Sequence, residues 1–153
     1  MAFGVAALLC AVLPAAAQEV GPPPQLVDEL TSRARDNLAQ ARLSDGSNVP
    51  AETPEQRAAA IVPRSLEVQT IDRALLSAAL EACELDSSTL SYLPYMQRVR
   101  ASGRYSERQI AYIGLLHGIS FGYLSTQIGD LVCSQEMMAD MQRAAASDPV
   151  ETP

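Results

Sequence analysis

From Gln109 to Gly129 the chain carries no charged side chain. Within that stretch Ile110, Ile113, His117, Phe121, Leu124 and Ile128 recur at three- and four-residue intervals, one stripe of a helix. Leu115, Leu116, Ile119, Tyr112 and Tyr123 cover much of the remaining surface. A helix apolar on nearly all sides is expected to be buried on nearly all sides. The spacing therefore predicts a central helix over 107–128 with the rest of the chain packed around it. Its start is marked locally. Ser106 is placed to cap the amide of Gln109, whose side chain reaches back, and Tyr105 and Ile110 stand where a hydrophobic staple needs them.

The other helices follow from the same periodicity. Leu26, Val27, Leu30, Ala34, Leu38 and Ala41 predict an amphipathic helix over about 24–43, closed by Asp45-Gly46 and either docked on the core or mobile. Thr53-Pro54-Glu55-Gln56 opens a short helix that Pro63 stops. Val68, Ile71, Leu75, Leu76, Ala79, Leu80 and Cys83 mark one face of a helix from about Ser65 to Glu84. After the turn at Asp86-Ser87-Ser88, Leu90, Leu93, Met96 and Val99 continue at helical spacing. Pro94 is expected to kink that helix or to sit in its first turn, and Ser102-Gly103 to close it. A last helix is expected from Leu131 to Ala145, with Cys133 on it and a possible break before it at Gly129-Asp130. No alternating strand pattern and no internal repeat is present. The prediction is an all-α bundle of about four to five helices, with 18–64 as an N-terminal helix and Pro-rich linker, 65–145 as the helical core and 146–153 as a tail.

Residues 1–17 read as a signal peptide: uncharged, with an apolar run from Phe3 to Val12, a breaker at Pro14 and Ala15-Ala16-Ala17 as an A-x-A site. Cleavage is expected before Gln18. The run is shorter than the roughly 20 apolar residues a bilayer span needs, so the mature chain is expected to leave the membrane. The basic residues are all arginine, a composition expected of a GC-rich bacterial genome. Together these predict a periplasmic or secreted bacterial protein. Its net charge of −7 opposes nucleic-acid binding. Removing the signal leaves Cys83 and Cys133, and in an oxidising compartment an isolated pair is expected to form a disulfide. In the chain-entropy model a loop of this size contributes about 4 kcal/mol.

Two cysteines about 50 residues apart in a small exported helical protein resemble the plan of periplasmic acid-stress chaperones of the HdeA type. The resemblance covers Cys83, Cys133 and the helical span between them. It implies a chaperone activity switched on by acid. The glycine-rich central helix and the long N-terminal extension depart from that plan.

The chemistry-bearing residues are few. Gly114, Gly118 and Gly122 are spaced four apart on the central helix. Each costs roughly 1 kcal/mol against alanine in a helix interior, so three of them need a reason. Close crossing of a helix of the same chain is one. A partner or self-association face made of Gly114, His117, Gly118, Phe121 and Gly122 is another; a membrane-span motif is too polar here to be preferred. His117 is the only histidine, and general-base or pH-sensing roles stand against a hydrogen-bonded core position. Arg98, Arg100, Arg104 and Arg108 cluster as an anion site, or as partners of Glu81, Glu84, Asp86 and Glu107. Met96, Met137, Met138 and Met141 are read as packing rather than soft-metal ligands. No metal site, cofactor motif or catalytic set is expected. The leading expectation is a non-enzymatic binding or interaction protein with a protein partner or a second copy of itself. An acid-responsive chaperone and an enzyme using His117 are the alternatives.

Overall fold

The computed structural model describes residues 21–129 and 131–147. The predicted signal segment 1–17, its cleavage point before Gln18, Asp130 and most of the tail lie outside the described residues. Among the described residues the fold is all-helical, with no strand beyond a lone bridge between Arg42 and Asn48. There are six helices rather than four or five: α1 Pro24–Asp36, α2 Pro54–Ala58, α3 Arg64–Ala82, α4 Leu93–Ala101, α5 Glu107–Ile128 and α6 Gln135–Ala146. A 3₁₀ turn, Leu38–Gln40, follows α1, and a π turn, Ser88–Tyr92, precedes α4.

α5 is the longest helix and α3 its main neighbour, with α1 and α4 against its other sides. Its start is as expected: the Ser106 hydroxyl accepts from the Gln109 amide while the Gln109 side chain accepts from the Ser106 amide. Gln109 Nε2 also donates to the Ile61 carbonyl at 2.7 Å, tying the 59–62 segment to the same helix end. Gly129 ends the helix at φ 61°, a left-handed conformation that glycine adopts without Cβ strain. Ile110, Tyr112, Ile113, Leu116 and Leu124 lie in the core. The expected burial on nearly all sides is not realised, however. Gly118 and Gly122 are exposed, so among the described residues no helix covers that flank of α5.

α1 docks on this core through Val27, Leu30 and Ala34, followed by Leu38 from the 3₁₀ turn. It stops at Asp36 rather than near Leu43. Asn37 Nδ2 donates to the Arg33 carbonyl, satisfying a free helix-end acceptor. α3 ends in a Schellman motif: the Leu85 amide bonds the Leu80 carbonyl and the Glu84 amide bonds the Glu81 carbonyl. Glu84 takes the left-handed position at φ 59°, where glycine is usual.

The last helix begins later than expected. Ser134 caps the Met137 amide, so α6 starts at Gln135 and Cys133 lies in the connection before it. Cys83 and Cys133 nonetheless meet, with sulfurs at disulfide-bonding distance and Cα atoms 5.6 Å apart, within the range a disulfide requires. α6 lies against α3 and the π turn.

Candidate functional site

The π turn begins where Asp86 caps the Thr89 amide at 3.0 Å, and it closes with the Leu93 amide bonded to the Ser88 carbonyl. Pro94 then sits in the first turn of α4, where its missing N–H is tolerated. A π turn adds one residue to the helical register, a device that recurs at functional sites. Here it accompanies a fully buried Ser91 and a Tyr92 ring that lies 4.7 Å from the imidazole of His117. The ring of Phe121, one turn further along α5, lies nearly parallel to the imidazole with centroids 6.4 Å apart.

These rings wall a cleft of about 410 Å³ between α3, the π turn and α5. Ser77 and Glu81 line it from α3, Ser87, Ser88 and Tyr92 from the turn, and Gly114, His117, Gly118 and Phe121 from α5. The two glycines act differently. A methyl group on Gly114 would meet Tyr92 Oη at 3.4 Å and Met96 Cε at 3.5 Å, an ordinary contact distance. At Gly118 and Gly122 it would meet nothing within 4 Å. Close helix crossing therefore does not account for Gly118 or Gly122. At Gly118 the absent side chain leaves space in the cleft.

Behind the cleft runs a seam of buried polar groups. Thr70, Arg73, Ser77, Ser91, His117 and Ser120 are all buried. Ser77 Oγ lies 2.9 Å from the Arg73 carbonyl, 2.9 Å from Ser91 Oγ and 3.1 Å from His117 Nε2. With one hydroxyl proton it donates to one of these and can accept from Ser91 or a protonated Nε2. Thr70 Oγ1 meets Tyr95 Oη at 2.7 Å. Arg73 donates to the Ala145 carbonyl at the end of α6 and lies 5.9 Å over the Tyr95 ring.

His117 is 4 % exposed. Burial, with a smaller contribution from the Arg73 charge, lowers its pKa to about 4. The imidazole is accordingly neutral at pH 7. Ser77 and His117 stand at the separation of a nucleophile and a base, but Ser77 is 1 % exposed and packed inside α3. The pair lies at the back of the cleft, with the Ser77 hydroxyl engaged by the Arg73 carbonyl, Ser91 and His117.

Arg98 and Arg100 lie in the last turn of α4 and Arg104 in the loop after it. Arg108, in the first turn of α5, pairs with Glu52. Glu52, whose side chain is 6 % exposed, also takes both Arg35 donors, at 3.0 and 2.9 Å. Those hydrogen bonds from Arg35, aided by Arg108, hold the Glu52 carboxyl below its ordinary pKa against the opposing effect of burial. The arrangement bolts α1, the 49–53 segment and α5 together. Sequence reasoning missed it, because its members lie 17 and 56 residues apart.

Met96 is buried in α4, whereas Met137, Met138 and Met141 lie partly exposed on α6. Among the described residues no group of three or more His, Cys, Asp or Glu side chains is placed to hold a metal, and no helix is long and apolar enough to cross a membrane. Two further hollows, of about 520 and 650 Å³, border Gly21–Pro23 at the start of the described chain. Comparison with protein-family models, with curated proteins and with solved structures finds no match.

Proposed function

We propose that the mature chain is an exported, disulfide-bridged, non-enzymatic binding protein that takes its partner in the cleft beside His117. The observation that carries this reading is Gly118. A glycine in the middle of a 22-residue helix costs about 1 kcal/mol against alanine, and among the described residues a Cβ placed there meets no neighbour beyond the helix's own backbone within 4 Å. The cleft it opens has the size and the ring-lined walls of small-molecule sites, which run roughly 300–1,000 Å³. The enzymatic alternative is less well supported, because the Ser77 hydroxyl that would serve as nucleophile is 1 % exposed and already engaged by the Arg73 carbonyl, Ser91 and His117. Export and the Cys83–Cys133 bridge belong to the same reading: an oxidising compartment keeps such a pair bonded.

Native mass spectrometry tests it on mature chain recovered without denaturation from the envelope or medium of the producing cells. The expected result is an adduct on the wild type that is missing from an equally folded Gly118→Leu variant. A wild type that stays free of adduct after incubation with envelope extract contradicts the proposal. So does an adduct indifferent to Gly118→Leu.

One observation favours a second reading, an acid-responsive chaperone. His117 is buried near Arg73, so its protonation places two positive charges in one seam. Suppression of client aggregation at low pH, and not at neutral pH, is the outcome this reading requires.

A further inference from the structure

We infer that the occupant of the His117 cleft is a small amphipathic amine: an apolar, ring-sized body carrying one ammonium group. The inference rests on the reading of the cleft as the binding site and names the chemistry it would accept.

Among the described residues the lining holds one acidic side chain, Glu81, and no arginine. Glu81 Oε2 accepts from the Ser87 hydroxyl at 3.2 Å, which links the α3 wall to the π-turn wall and holds the carboxylate at the cleft. Arg73, the nearest buried cation, is turned to the Ala145 carbonyl and the Tyr95 ring and does not line the cleft. His117 adds no charge at neutral pH. An anionic ligand would therefore meet a like charge with no arginine among the described lining residues to offset it, in a chain of net charge −7. A cation meets Glu81 beside the aromatic rings of Tyr92 and Phe121, a combination that attracts ammonium groups. The body of such a ligand is accommodated at Gly114 and Gly118, where the helix presents backbone rather than side chain.

The single histidine makes the test direct, since its imidazole protons give one set of proton resonances at the cleft wall. We would titrate the full mature protein near pH 7.5, where histidine is largely neutral. The probes are phenethylamine, its uncharged counterpart 2-phenylethanol and the anion 3-phenylpropionate. Phenethylamine is expected to move the His117 resonances saturably and to bind about fivefold more tightly than the alcohol, the scale of a partly exposed charge contact. The carboxylate is expected to produce no shift. Glu81→Gln should bring the amine down to the level of the alcohol and leave the alcohol unchanged. Gly118→Val should abolish both.

Alcohol binding as tight as amine binding, or amine binding indifferent to Glu81→Gln, would overturn the amine assignment and leave the cleft as a binding site. His117 resonances unmoved by all three probes would overturn the assignment and the site together. Tighter binding of the peptide acetyl-Gly-Phe-Lys-Gly-amide than of phenethylamine would transfer the site from a free amine to a protein lysine, and so would also overturn the proposal.

Discussion

α1 and α6 are amphipathic helices of nearly equal length, 13 and 12 residues, and they join the bundle by opposite means. α1 buries Val27, Leu30 and Ala34, and the turn after it buries Leu38. The valine and the two leucines each contribute roughly 1.5–3 kcal/mol when withdrawn from water. The Arg35–Glu52 pair then fixes the helix against the segment that follows. Of the α6 residues, Ala145 is the one fully buried, and Met137 is exposed. α6 is attached at its two ends instead: Cys133 to Cys83 just before its first turn, and the Ala145 carbonyl to the buried Arg73 in its last turn. A cation at a helix C-terminus also suits the helix dipole. The contrast teaches that an apolar stripe fixes which face a helix turns inward and not how much that face is worth. Leucine and valine on α1 can fill a core; methionine and alanine on α6 bury less, and end tethers make up the difference.

Reduction should separate the two most. Opening a bridge that spans 50 residues of sequence costs about 4 kcal/mol in the chain-entropy model. Hydrogen exchange on reduced protein should show α6 amides losing protection first while α1 amides keep theirs; equal loss in both helices would erase the distinction. Next in size is Leu30→Ala, expected to cost about 3 kcal/mol in denaturant unfolding. Met138→Ala on α6 should cost under about 1 kcal/mol, because that side chain is only half-buried. Similar losses at the two positions would break the comparison from the other direction.

Acid acts on the buried polar seam of α3, the π turn and α5. His117 has a pKa of about 4 in the fold and near 6.5 in the unfolded chain. Between those values the unfolded state binds the extra proton, so stability falls as the pH drops from 6.5 towards 4. The loss amounts to about 3 kcal/mol and is complete below that window. His117→Gln should flatten the curve across it. Glu52 acts lower: its depressed pKa gives stability that is present above the ordinary carboxylate range and lost as pH falls through its folded value. An unchanged pH profile in His117→Gln would remove the histidine from the account.

What was legible in the sequence was local. The Ser106–Gln109 and Thr53–Gln56 capping boxes form as their spacing predicts, because each closes within three residues. Gly103 and Gly129 end their helices for the same reason. Ser134 was an equally readable cap, and giving it its due would have started α6 at the right place. Ser77 was a weaker signal: a polar residue set among Ala74, Ala78 and Leu80 on a buried face, which foretells a buried partner without naming Ser91 or His117. The Glu52 bolt and the open flank of α5 had no local signal. They depend on which elements meet, and periodicity carries no information on whether a neighbour covers a given flank.

The central claim is that Gly118 serves an occupant and not the fold, and the unfolding free energy of Gly118→Ala tests it most directly. With open space around the added methyl, the variant should be more stable by about 1 kcal/mol, the helix preference of alanine over glycine, while binding at the cleft weakens. A variant less stable than the wild type would show that the bundle itself needs the glycine, and would contradict the account.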